Sequence, residues 1–419
     1  MMRHYALLTL LFATLLPTKG ANYTERVTNG SLEGEGYYSF GYYGYYNQSI
    51  KASDVVEDPA DALNHCIRLG RSNTNNYPDL HIKFATNTST LYAGQKYKFS
   101  MRVKASQATK IHSRGMTSYG GIFDNNMIGT FDVTTSWTTI SYEGVATDDQ
   151  NGLAWLSFVF ADNDVDYYFD DISLQVDMGD LFRASTAEGS ELYFTVISAD
   201  QKTCAVGNLT RNDGSHVAYT DVNVNGKLTI PATVQYLGDT YAVRFVGEGA
   251  FAGNTYFDNI IIPKGVTYLG NSAFWNSILK SVSIPSTVKS FGLQVFSANY
   301  QLQSVYSYIR KPFVFNEAVF SGKYNSQTSQ YDFTTATLFV PAGKKSVYES
   351  TVAWDQFTTI EEMPLAGDVN NDDTVNVSDI VEVVTLIQNA SYQESADVNG
   401  DGLVNADDLD EIRDIILDE

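Results

Sequence analysis

Gly247-Glu248-Gly249-Ala250-Phe251 returns as Gly270-Asn271-Ser272-Ala273-Phe274 and, in degraded form, as Gly292-Leu293-Gln294-Val295-Phe296. Successive Phe positions lie 23 and 22 residues apart, and Val319-Phe320 follows 24 residues later. Apolar stretches ending in Pro run between these phrases: Ile260-Ile261-Ile262-Pro263 and Val282-Ser283-Ile284-Pro285, with Leu228-Thr229-Ile230-Pro231 before them and Leu338-Phe339-Val340-Pro341 after. A period this short and this even gives each repeat one strand and one turn, whose apolar face only the next repeat can cover. The segment from Glu191 to Glu362 is therefore predicted to be a solenoid.

The Ile-Pro and Gly-x-x-Ala-Phe phrases resemble the bacterial surface-type leucine-rich repeats. The lead-in Leu192-Tyr193-Phe194-Thr195-Val196 and the exit from Val340-Pro341-Ala342-Gly343 through Tyr348 to Trp354 are similar to that family's capping segments.

Before the repeats, strand patterns run over Lys96 to Val103, Thr138 to Gly144, Leu153 to Phe160 and Tyr167 to Val176. Leu156, Phe158 and Phe160 form one alternate apolar set, as a sheet packed on a core requires. Residues 21–178 thus predict a β-sandwich. The phrases Val27-Thr28-Asn29-Gly30-Ser31-Leu32-Glu33, Gly94-Gln95-Lys96-Tyr97-Lys98-Phe99-Ser100, Ser136-Trp137-Thr138 and Tyr168-Phe169-Asp170-Asp171-Ile172-Ser173-Leu174 resemble, in that order, the jelly-roll carbohydrate-binding modules of secreted glycoside hydrolases. The resemblance implies a glycan ligand. It also implies a structural calcium between Glu33 and Asp170, although surface positions for these two carboxylates need no cation.

Trp155 alternates away from the apolar set, which makes it a candidate for a sugar-binding face; Trp137 is assigned to the core. The run Tyr37 to Tyr46 offers Tyr42, Tyr43, Tyr45 and Tyr46 as further stacking surfaces for a sugar. The same alternation also suits a sheet wall against a core.

The densest chemistry lies at the C-terminus. Asp368, Asn370, Asp372, Asn376 and Asp379 place oxygen side chains at positions 1, 3, 5, 9 and 12 of a loop, with Thr374 supplying a backbone carbonyl at position 7. A second loop repeats the set with Asp397, Asn399, Asp401, Leu403, Asn405 and Asp408. Calcium takes six to eight hard oxygen ligands, which a tight loop with alternating donors can present. Each loop is followed by an amphipathic stretch, marked by Ile380, Val383, Val384 and Ile387 in one and by Leu409, Ile412 and Ile416 in the other. Residues 367–419 resemble the type I dockerin modules, which implies two calcium ions and a cohesin-like or other surface-protein partner. At position 6 the first loop has Asp373 where the second has Gly402, so the first is expected to bind more weakly. Dockerin partner choice is read at positions 10 and 11, here Val377-Ser378 and Ala406-Asp407, which depart from the common hydroxyl pairs.

Residues 1–20 read as a secretory signal: Arg3 and His4, then an apolar run from Ala6 to Leu16, then Thr18 and Gly20. No later stretch has the apolar length of a membrane span. With 49 acidic against 27 basic residues, a net charge of -22 and no basic stripe, nucleic acid is a poor partner. Cys66 and Cys204 are too few for a disulfide framework and read as buried thiols. No nucleophile elbow, His-Glu-x-x-His helix, phosphate loop or dinucleotide fingerprint is present.

The expected protein is mainly β and multidomain: signal peptide 1–20, sandwich 21–178, linker 179–190, leucine-rich-repeat solenoid 191–362, linker 363–366 and a small α-helical module of paired EF-hand-like loops at 367–419. It reads as a secreted or cell-surface non-catalytic binding protein, and not membrane-spanning. The company such modules keep offers a second reading, a component of a polysaccharide-degrading glycoside hydrolase system. A third is a purely structural surface protein.

Overall fold

In the computed structural model the described residues are 23–25, 31–32, 40–42, 48–49, 54–58, 61–70, 79–83, 91–116, 122–124, 127–147, 155–160, 164–177, 179–209, 217–221, 226–325, 330–365, 367–370, 374–399 and 403–417. The first of these segments build two antiparallel sheets. One runs Thr138–Val145, Lys96–Ala105, Tyr167–Asp177, Asp61–Leu69, Val55–Asp58, with Tyr23–Glu25 joined to Tyr167–Asp177. The other runs Thr130–Val133, Thr109–Met116, Trp155–Phe160, Asp79–Lys83, Phe40–Tyr42, Gln48–Ser49. Alternation turns Tyr97, Phe99, Met101 and Val103 inward to meet Leu156, Phe158 and Phe160, and the Phe99 and Phe158 rings stack at 5.1 Å. This is the predicted sandwich.

Trp137 does not join that core. It lies half-buried over the outer side of strand Lys96–Ala105, its ring centroid 4.7 Å from the Arg102 guanidinium and 4.6 Å from Lys104 Nζ. The indole Nε1–H donates to Asp58 Oδ2 at 2.7 Å, and the buried Lys104 donates to Asp58 Oδ1. A polar tip that needs an acceptor, and cations that favour an aromatic face, hold the ring there.

The solenoid follows its repeat. Strands Gly226–Thr229, Phe257–Ile261, Ser281–Ile284, Ser304–Ser307, Thr337–Val340 and Ile360–Glu362 form a parallel sheet. Its register aligns the buried Leu228, Ile260, Val282, Val305, Leu338 and Ile360 in one row. A second row comes from the recurring Phe. Phe251 stacks on Phe274 at 5.4 Å, Phe274 on Phe296 at 5.2 Å and Phe296 on Phe320 at 5.1 Å. The Gly that opens each phrase lets successive turns touch: a Cβ at Gly270 would sit 2.6 Å from Glu248 N, and one at Gly292 2.5 Å from Asn271 N. Tyr348 and Trp354 close the far end. The Tyr348 hydroxyl donates to Ile309 O and pairs with Ser307 Oγ, both at 2.6 Å, and Trp354 Nε1–H donates to Phe313 O.

The expected linker 179–190 is corrected. Leu181–Ser185 is a strand, paired antiparallel with residues Glu191 to Thr195, because Phe182 buries its ring against Phe194 and Tyr236. Sandwich and solenoid also share one core. Tyr92 packs edge-on against Phe245 and Tyr268 and accepts a 2.9 Å hydrogen bond from Glu248 N, and Ile197, Ala205 and Leu209 belong to the same cluster. Cys66 and Cys204 are buried and unbridged. Burial, reinforced by the Asp58 carboxylate, pushes the Cys66 thiol up to about 12, and burial alone does the same for Cys204.

Candidate functional site

Each C-terminal loop ends in a helix, Val377–Gln388 and Ala406–Leu417, and the helices close a small core of Val369, Val375, Val383, Ala396, Val398, Ile412 and Ile415. Ile380, Ile387, Leu409 and Ile416 pack against it, half-buried. The loops are closed alike. Asp379 Oδ1 accepts from Val369 N at 2.8 Å and Asn370 N at 3.2 Å, while Oδ2 accepts from Asn376 N at 2.9 Å. Asp408 Oδ1 accepts from Val398 N at 2.8 Å and Asn399 N at 3.3 Å, while Oδ2 accepts from Asn405 N at 2.8 Å. Position 9 caps each helix: Asn376 Oδ1 accepts from Ser378 N and Asn405 Oδ1 from Asp407 N.

These bonds fold position 12 back onto positions 2 and 3, beside Asp368 in the first loop and Asp397 in the second. Asp379 and Asp408 are fully buried and Asp368 nearly so. A carboxylate oxygen that accepts one or two N–H bonds keeps coordination capacity, so the closing bonds do not exhaust it. The donors on the described residues are all oxygen: carboxylates at positions 1 and 12, amides at 3 and 9, and the backbone carbonyls of Thr374 and Leu403 at 7. Leu403 turns its side chain out, 62% exposed, as suits a residue used for its carbonyl. Asp372 and Asp401, like Asp373 and Gly402, lie outside the described residues. The donor chemistry fits calcium and does not suit a softer metal.

Residues 366–417 match the model of the type I dockerin domain, and residues 227–332 match that of the BspA type leucine rich repeat region, in six copies. The chain carries dockerin and BspA-type repeat domains. In the dockerin domain, positions 10 and 11 of both loops are exposed: Val377, Ser378, Ala406 and Asp407.

Among solved structures, the CBM22-1 xylan-binding domain of Paenibacillus barcinonensis Xyn10C is similar over 29% of this chain and 79% of that one, at 15% identity and a TM-score of 0.24. A leucine rich cell surface protein from Faecalibacterium prausnitzii A2-165 is similar over 43% of each chain, at 21% identity and a TM-score of 0.25. No curated protein matches the sequence.

In the sandwich, Trp155 pairs with Lys83 and Met116, so it lies in register phase with Ser157, His81 and Arg114. Tyr42 lies in the opposite phase, that of Phe40, which pairs with the core residue Ile82. The backbone positions of these two candidates are thus in opposite register phase. Ser157, next in phase after Trp155, is fully buried, and its hydroxyl has no hydrogen-bond partner among the described residues. Tyr43, Tyr45, Tyr46 and Glu33 lie outside the described residues. Asp170 is fully buried; Asn64 Nδ2 donates to it at 3.0 Å and Arg102 Nη1 at 3.4 Å. Burial pushes its carboxyl up, opposed by the hydrogen bonds from Asn64 and from the Asp171 N–H.

Sequence reasoning did not identify Glu411. This acid on the second dockerin helix is buried against the solenoid, 2.7 Å from Ser286 Oγ and 3.2 Å from Lys264 Nζ. Its only local signal is an acid set in the apolar phase just before Ile412.

Proposed function

We propose that this chain is a secreted or cell-surface docking protein that attaches to a surface partner through its calcium-loaded dockerin domain and binds glycan through its sandwich. The observation that carries the reading is the twofold closure of the dockerin loops, Asp379 onto Val369 and Asp408 onto Val398, around oxygen donors alone. Two calcium ions would be held there, one by Asp368, Asn370, Asp372, Thr374, Asn376 and Asp379 and the other by Asp397, Asn399, Asp401, Leu403, Asn405 and Asp408. When bound, calcium supplies the charge that allows these carboxylates to sit together. Among the described residues no helix is long and apolar enough to cross a membrane. The dockerin and repeat domains are non-catalytic, which supports a binding role.

Glycan binding is proposed through Trp155, with Tyr43, Tyr45 and Tyr46 as further stacking candidates. A glycan array probed with the whole chain and with Trp155→Ala tests it, and an array with no hits on either removes the sandwich from the ligand-binding role. Binding to immobilised cohesin domains in calcium and in chelator tests the docking arm. The dockerin match also favours a second reading, a component or subunit of a polysaccharide-degrading glycoside hydrolase system, in which the partner would be shared with hydrolases. Release of reducing sugar by the purified chain alone, abolished by one carboxylate substitution, would overturn the first reading in favour of the second.

A further inference from the structure

The second dockerin helix is strongly acidic, with Asp407, Asp408, Asp410, Glu411 and Asp414 against one Arg413. One of these acids, Glu411, is only 8% exposed. An acidic side chain is rarely buried without a partner, and here the solenoid supplies two. Lys264 follows Pro263 and Ser286 follows Pro285, so Glu411 bridges the same turn of two consecutive repeats. On one side of this bridge Val398 and Ile415 line a narrow crevice with Tyr308, Pro341 and Met363. Lys289, Arg310 and Lys311 join Lys264 along a neighbouring groove of about 450 Å³ that Glu411 and Asp414 also line. In a chain of net charge -22, this gathering of four cations opposite an acidic helix is charge complementarity within one molecule.

The contact is tied to the second loop. Val398, which lines the crevice, donates the bond that closes that loop on Asp408, and Asp408 lies three residues before Glu411 on the same helix.

We propose that the repeat turns at Lys264, Ser286 and Arg310 are a receptor surface for the second helix of this chain's own dockerin domain, and that calcium in the second loop latches the two together. The calcium part rests on the metal reading given above. With the loop filled, the helix is ordered and Glu411 is presented to Lys264. With the loop empty, the helix loses its N-terminal anchor and the domain leaves the solenoid. Val377 and Val381 of the first helix, 66% and 61% exposed, lie outside the latch in either state.

Small-angle scattering of the full-length chain tests this, with far-UV circular dichroism of each sample reporting loop filling separately. Expected results are a compact wild type in calcium, a larger radius of gyration in chelator, and a larger radius for Glu411→Lys in calcium with its helical response to calcium unchanged. The charge-exchanged pair Glu411→Lys/Lys264→Glu should regain compactness in calcium. A Glu411→Lys chain as compact as wild type in calcium overturns the latch while leaving the metal reading intact. A dichroism signal that ignores calcium removes the metal reading and with it the calcium control.

Discussion

Asp379 and Asp408 stand in equivalent places in successive loops, each with one oxygen 2.8 Å from a backbone N–H ten residues upstream, on Val369 and Val398. Each carboxylate accepts from three backbone N–H groups of its loop, so the fold itself uses it.

The dockerin domain is therefore expected to gain helix on calcium addition, since a core of seven buried residues is too small to hold these acids together unaided. Asp408→Ala removes the acceptor of the buried Val398 N–H at ~1–3 kcal/mol, equivalent to ~10-fold in the calcium midpoint. Because the second loop has Gly402 where the first has Asp373, Asp397→Ala and Asp408→Ala should be more damaging than Asp368→Ala and Asp379→Ala. Circular dichroism during calcium titration measures this, and the reverse order would discard the turn argument while keeping the ligands.

Phe274 has stacked neighbours on both faces. Phe274→Ala should cost ~3–5 kcal/mol, because a rigid stack collapses poorly onto a cavity. Gly270→Ala, with backbone 2.6 Å from the new Cβ, should cost ~1–3 kcal/mol. Urea denaturation followed by fluorescence reports both; a Gly270→Ala chain as stable as wild type would mean that the repeats are not held at this spacing.

Lys104→Met should leave Asp58 as an uncompensated buried charge, at a cost of ~3–5 kcal/mol. Adding Asp58→Asn to it should recover part of the loss, because the buried charge is removed while an oxygen acceptor for the Trp137 Nε1–H remains. Thermal melts of the single and double variants decide the matter, and equal melting of the two would show that the charge pair is not what matters there.

Both thiols should be silent to a thiol reagent at pH 8 and react only on unfolding. Their folded values lie near about 12 against an ordinary 9.0, so the fold favours the neutral thiol. The associated stability is complete below pH 9 and falls as pH rises from there towards about 12. Cys204→Ser should flatten part of that alkaline decline in melts taken across the range.

What could be read in advance was what is local. The dockerin loops repeat the same spacing of oxygen side chains within twelve residues, and the Phe row recurs once per repeat, so spacing alone exposes both modules. Strand Leu181–Ser185 is not legible in advance because its apolar residues Leu181, Phe182 and Ala184 show no clean alternation and only Phe182 is buried, a pattern that also suits a linker. The phrase Ser136-Trp137-Thr138 points to the core, but the acceptor that holds the indole outside it, Asp58, lies 79 residues away. Glu411 meets Ser286 across 125 residues, and no window of sequence contains both. The second helix buries Ile415 more deeply than the expected Ile416, since both fall on the apolar side of a 3.6-residue turn.

Because Tyr92 sits in a core common to sandwich and solenoid, the chain has fewer joints than it has domains. Tension between a ligand on the sandwich and an anchor on the dockerin domain would reach that junction as shear across packed aromatic rings. At the other end it would meet the narrow contact of Glu411 with Ser286 and Lys264 and the crevice beside it. The weaker attachment therefore lies nearer the anchor, and under load the chain should lengthen there first while the sandwich keeps its orientation on the repeats.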